Sequence, residues 1–253
     1  GKARSAAFRA LQINPQLAEA EASLGLIRSL HDWEWMEAEK HFRRSMDLNP
    51  GYASAAHWFA LDHLALLGRF EEAADIIDGA CHLDPLSPIL REGRGYVAML
   101  AGHYGKALEH FREVVEMDQY FYKGYTSMGR LYIQKKMYPE AIAKLEKGRS
   151  LAGDIPTLLA ALGQAHGLAG NEMEARRLLA RLAEISEQRY VPSTCFAIVQ
   201  IGLGENAKAL DYLETGCAQH ELPMAALKVH PVYDSLRSER RFTGLITRIG
   251  LDR

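Results

Sequence analysis

The sequence predicts an all-α chain, a solenoid of stacked helix–turn–helix units ending in a capping helix. Three observations predict it: small residues recur at a near-constant spacing, bulky apolar residues follow them at helical distance, and glycines, aromatics and prolines mark the turns in the same register. Alanines stand at Ala38, Ala73, Ala107, Ala141, Ala175 and Ala209, separated by one step of 35 residues and then by steps of 34. Such self-similarity marks a repeat architecture.

Within each unit the letters have separate roles. Small residues at Gly25, Ala60, Gly95, Gly129, Gly163 and Ala197 precede the alanines by 12 or 13 positions. Paired small residues on facing helices let two backbones approach closely. Four residues after each alanine comes Phe42, Ile77, Phe111, Leu145, Leu179 or Leu213, on the same helix face. Glycines five residues before the alanines, at Gly68, Gly102, Gly170 and Gly204, permit the positive φ that ends a first helix. Trp35, Phe70, Tyr104 and Tyr138 stand three residues before theirs. Pro15, Pro50 and Pro85 close the early units, because the residue before proline avoids the helical region. The first two units carry one extra residue between their paired small positions. In the first, HDWEWMEAEKHF, Asp32 is the expected N-cap of the second helix.

This pattern resembles the tetratricopeptide repeat. The resemblance covers six units over residues 18–221 and implies a right-handed superhelix. The tryptophan usual early in the family's first helix is absent, and the closing proline becomes Gln119 and then Gly153. Residues 1–17 match the second helix of a further unit, with Phe8 and Leu11 on its apolar face. A lone half-repeat cannot bury that face, so an upstream segment is expected. Residues 222–253 break the period. There Phe242, Leu245, Ile246 and Ile249 fall on one helix face and Arg240, Arg241, Thr243 and Arg248 on the other, the pattern of a polar-backed cap.

Composition narrows the function. The 253 residues hold 30 basic and 32 acidic side chains, a balance that draws the chain to neither nucleic acid nor anionic lipid. No apolar run approaches the ~20 residues that cross a bilayer. Direct nucleic-acid or membrane binding is therefore not expected. Cys81, Cys195 and Cys217 lack CxxC spacing and read as thiols of a reducing, cytoplasmic compartment, with a Cys195–Cys217 bridge left open. Cys195 falls inside an expected helix rather than at an N-terminus that would lower its pKa.

Nothing points to catalysis. The ten histidines show no metal-ligand spacing, and the short Gly-x-Gly fragments at Gly93–Gly95 and Gly202–Gly204 follow no strand. No cofactor is expected. The acidic runs around Glu37, Glu39, Glu71 and Glu72 read as solvated helix faces, and Tyr120-Phe121-Tyr122 as packing at a turn.

In the family that the chain resembles, first helices line a concave face that holds a peptide. Carried onto this sequence, the register assigns partner-facing positions to His57 and Leu61 in unit two and to Glu92 and Tyr96 in unit three. Lys123, Thr126, Arg130 and Ile133 follow in unit four, Gln164 in unit five, and Thr194 and Ile198 in unit six. Only Lys123 and Arg130 fit the carboxylate clamp of chaperone-binding members, and no asparagine stands at matching positions, so that clamp is not expected. The expected function is a non-catalytic protein–protein interaction scaffold. The alternative is a regulatory tetratricopeptide domain of a bacterial transcription regulator, cyclase or kinase, with its effector domain upstream.

Overall fold

In the computed structural model, residues 1–252 are described, and Arg253, the last residue of the expected cap, lies outside them. All regular structure among the described residues is helical. The first helices of the six units are α2 (Ala18–Ile27), α4 (Ala53–Phe59), α6 (Pro88–Leu100), α8 (Tyr122–Gln134), α10 (Pro156–Leu168) and α12 (Ser193–Gly202). Their partners are α3 (Trp35–Leu48), α5 (Phe70–Leu83), α7 (Tyr104–Met117), α9 (Tyr138–Ala152), α11 (Glu172–Ser186) and α13 (Asn206–Ala218). Helix α1 (Lys2–Ile13) precedes the stack. Two 3₁₀ turns, Leu222–Ala226 and Pro231–Leu236, and helix α14 (Arg240–Arg248) follow it.

The register survives in detail. Each second helix begins three residues before its alanine, and all six alanines are fully buried. The paired small positions do steric work: a Cβ at Gly95 would stand 2.5 Å from the Phe111 ring, and one at Gly129 2.5 Å from Leu145. The glycine turns have φ of 74–83° at Gly68, Gly102, Gly170 and Gly204. The amide two residues past the helix returns to it, as in His103 N–H to Ala98 O at 2.8 Å, the bond of a Schellman ending. Trp33 and Lys136 occupy the same turn position with φ of 58° each, a conformation that costs L-residues about 1–2 kcal/mol.

The extra residue of units one and two has a physical home. It is absorbed as a π turn, over Arg28–Asp32 after α2 and Ala60–Leu64 after α4. The Ala65 amide reaches back five residues to Ala60 O at 2.9 Å, which is how a helix accommodates one insertion without losing its axis.

Four expectations need correction. Glu34, not Asp32, is the N-cap of α3 and gives no side-chain cap; Asp32 ends the π turn and pairs with Arg4 across to α1. In unit five the buried bulky residue is Leu178 rather than Leu179, which is only half-buried, and Gly163 packs against Val199 instead of a second helix. Here α10 and α12 touch directly, because a Cβ at Gly167 would lie 2.5 Å from the Gly202 carbonyl carbon and one at Gly202 2.6 Å from Gln164 Cα. The acidic runs are not simply solvated: Arg69 bonds Glu39 of the preceding unit at 2.6 Å and Glu72 at 2.5 Å. Tyr120 of the aromatic run is 72 % exposed, while Tyr122 opens α8 and packs against the central core.

The cap does more than cover unit six. Phe242, Leu245 and Ile249 are buried as expected, and Arg241 holds Asp211 and Glu214 of α13 at 2.7 and 2.8 Å. Yet this end of the chain also meets unit one. Trp35 Nε1 donates to Ile249 O at 2.9 Å, His220 Nδ1 stands 2.9 Å from His31 O, and the Trp33 ring stacks on His220 with centroids 4.4 Å apart. The solenoid closes into a ring.

Candidate functional site: a cleft that leads into an inner cavity

Closure divides the concave face. Residues of the two 3₁₀ turns lie against its later part, and Tyr96 of α6 faces His230 at 6.3 Å. Between them is an inner cavity of about 300 Å³, with walls drawn from the two π turns, α6, α8, α10, α12 and the C-terminal segment. Its mouth adjoins an outer cleft of about 430 Å³ between α4, α6 and α8. The two share Leu61, Asp62, Tyr96, Arg130 and Thr157.

Nearly all residues assigned from the register line one of these spaces. His57, Leu61, Glu92, Tyr96, Lys123, Thr126 and Arg130 line the cleft. Gln164, Thr194 and Ile198 line the cavity, together with Leu61, Tyr96 and Arg130. Ile133 lines neither; it is 4 % exposed and packs in the central core. Two of the cleft residues are spoken for: Glu92 is buried and accepts a hydrogen bond from Ser127 Oγ, and Thr126 Oγ1 donates to Tyr122 O at 3.0 Å in its own helix. Lys123 is exposed. Among the described residues Arg130 hydrogen-bonds only the Thr157 carbonyl, at 3.4 Å.

Burial sets the protonation of the site. It pushes the Asp62 carboxyl up to about 7 against the weaker opposing pull of Lys123. Burial also raises Glu92, and pushes Tyr96 up to about 12 and the Cys195 thiol to about 12. His57 falls to about 4 through burial and the Lys123 charge, and His230 to about 3 through burial and the Arg130 charge. Each of these shifts favours the neutral form, so Arg130, whose guanidinium is a permanent cation, dominates the cavity's field. Cys195 lies in the first turn of α12 rather than deeper in the helix, but its raised pKa denies it the thiolate a nucleophile needs. All three cysteines are free. Among the described residues no group of three metal-ligating side chains converges.

Sequence reasoning missed Asp62, Gln134, His230 and Tyr233. Asp62 and Gln134 lie beside register positions on their own helices. His230 and Tyr233 belong to the segment outside the period and carried no signal.

No family model matches this sequence, and no curated protein does. Solved structures do match. A chain of the APC/C hetero-tetramer Cut9–Hcn1 superposes over 98 % of this chain with a TM-score of 0.66 at 19 % identity, and this chain spans 46 % of that one. The chain described as PilW, a type IV pilus biogenesis factor, gives 0.57 at 18 % identity over 70 % of this chain and 82 % of its own. PilF of Pseudomonas aeruginosa gives 0.53 at 19 % identity over 71 % and 81 %. The chain folds as a tetratricopeptide-repeat solenoid. Identity this low fixes the fold and leaves the site to be argued from its own chemistry. Among the described residues no helix is long and apolar enough to cross a membrane.

Proposed function

We propose that this tetratricopeptide chain is a non-catalytic protein–protein interaction scaffold that holds an extended peptide segment in the outer cleft. The cleft's lining carries the reading: Trp58, Leu61 and Ile89 offer apolar anchors beside the charged Lys123 and Arg130. Extended peptides are held by apolar pockets for alternate side chains with a few orienting polar contacts. The free thiols accord with a cytoplasmic setting.

Peptide selection against the purified chain tests it. Enriched peptides should carry an apolar residue next to an acidic one. Lys123→Glu combined with Ile89→Asp, two residues outside the cavity, should weaken them at least tenfold (about 1.4 kcal/mol) with the circular dichroism unchanged. Undiminished binding to that double variant would remove the cleft from consideration.

One observation favours a second reading, a regulatory domain of a larger bacterial regulator, cyclase or kinase. The segment that closes the ring also walls the cavity, so occupancy and closure share residues. The sequence of the parent gene tests this reading; an effector module upstream is the expected result.

A further inference from the structure

The inner cavity holds polar groups that the fold itself leaves without partners. Gln164, Thr194 and Tyr233 are 5 %, 1 % and 3 % exposed, and among the described residues none of their side chains makes a hydrogen bond. Their polar ends are not sealed in the protein interior but open onto the same space. His230 Nδ1 accepts from the Val232 amide at 3.2 Å, so its neutral ring carries the proton on Nε2 as a further donor. Among the described residues Arg130 has no carboxylate partner, and its one acceptor is a carbonyl at 3.4 Å. Its charge nonetheless reaches Tyr96 of α6, Cys195 of α12, and His230 and Tyr233 of the C-terminal segment, on three walls of the cavity. Asp62, Gln134 and Thr157 add polar groups to the lining, and Leu30, Leu66, Ile198, Leu222, Pro223 and Val232 form its apolar part.

We propose that this cavity is a binding site for a small organic carboxylate with a compact apolar body, its carboxylate on Arg130. A guanidinium fork matches a carboxylate in shape and charge, and such bonds are about twice as strong as neutral ones. Gln164, Thr194 and Tyr233 supply hydrogen bonds around the anion, while the leucines and Ile198 take the apolar body. A volume of about 300 Å³ is at the small end for ligand sites and leaves no room for a folded partner. Asp62, at the cavity's mouth, is largely protonated below its raised value of about 7, where it donates rather than repels. The proposal is independent of the scaffold reading, because its test uses no macromolecular partner.

Isothermal titration calorimetry of the whole chain, below pH 7, compares phenylacetate and hexanoate with their neutral isosteres phenylacetamide and hexanamide. The acids should bind one to one, and the amides at least tenfold more weakly. Arg130→Gln should bring the acids down to the level of the amides. Ala226→Phe, which fills the cavity from the C-terminal side, should abolish both. Equal binding of acids and amides, undiminished acid binding by Arg130→Gln, or no measurable binding of either acid would each overturn the proposal. A clear preference for a tripeptide with a free C-terminus over both acids would also overturn it, in favour of a peptide end as the carboxylate source. Should either variant fail to fold by circular dichroism, the acid–amide comparison on the unaltered chain decides alone.

Discussion

Units three and four differ from the ring's seam in how far apart in sequence their contacts lie. In the middle of the stack Gly95 meets Phe111 and Gly129 meets Leu145, neighbours within one hairpin. At the seam Trp35 meets Ile249 and His31 meets His220, 214 and 189 residues apart. The first kind of contact repeats and rests on buried bulk. The second occurs once and joins hydrogen bonds and ring stacking to the packing of Trp33 and Trp35 against the cap's core. Stability in a solenoid is a sum over neighbours, so the stack can stand when the seam opens. The seam is the weaker and more adjustable part.

The largest effect should come from the stack. Phe111 is fully buried under Gly95, and Phe111→Ala should cost about 3–5 kcal/mol in denaturant unfolding, with the whole chain affected. Gly167→Val should come next, at about 1–3 kcal/mol. Its side chain would be driven into the Gly202 backbone, parting α10 from α12. If that contact bends the ring shut, small-angle scattering will show a larger radius of gyration; unchanged dimensions would separate closure from this contact. Trp35→Phe should lose about 1 kcal/mol through the bond to Ile249 O. Hydrogen exchange should quicken in α14 and the 3₁₀ turns while α6 to α9 stay protected. Uniform quickening would make the seam part of one cooperative unit.

Acid separates the two regions by sign and window. His230, in the segment that closes the ring, falls to about 3 from an ordinary value of 6.5 because it is buried. The unfolded chain therefore takes up its proton first. The stability that His230 contributes is fully present above 6.5 and declines as pH falls toward about 3. Glu39 of the stack is a depressed acid, held at about 2 by the Arg69 and Arg43 hydrogen bonds against a burial cost that pulls the other way. Its contribution persists until pH drops below the ordinary 4.5 and fades toward 2. Exchange of α14 should thus rise at mildly acidic pH before urea midpoints fall steeply, and His230→Gln should remove the early rise. Simultaneous loss would contradict the division.

The smallest effect should come from Glu221→Gln, at the end of unit six beside the closing segment. Its carboxylate accepts from the Ser193 amide at 2.8 Å and the Thr194 amide at 3.4 Å, capping α12. Losing the charge should cost about 0.5–1 kcal/mol, read as a small shift in the urea midpoint.

Ion pairs across the stack show how register and letter part ways. Glu39 binds Arg69 between units one and two, and Arg176 binds Glu205 between units five and six. The positions are equivalent and the charges exchanged. Geometry asks for a complementary pair, and either order supplies it, so no single-letter pattern reveals the contact.

The sequence by itself determined the hairpin, its period and the two places where an extra residue had to be absorbed, though not the residue that caps the second helix of unit one. Those follow from steric demands between residues 4 to 35 positions apart, which recur and so can be read as a pattern. It also placed most of the concave lining, because first-helix positions inherit that orientation from the same period. Only the tertiary structure decided that the superhelix curves enough for its ends to meet. Curvature accumulates from small rotations per unit, and at Gly167 and Gly202 α10 and α12 come into direct contact. Once the ends meet, an aperiodic segment walls off Arg130, Gln164 and Thr194. A contact made once, across nearly the whole chain, leaves no repeat to read.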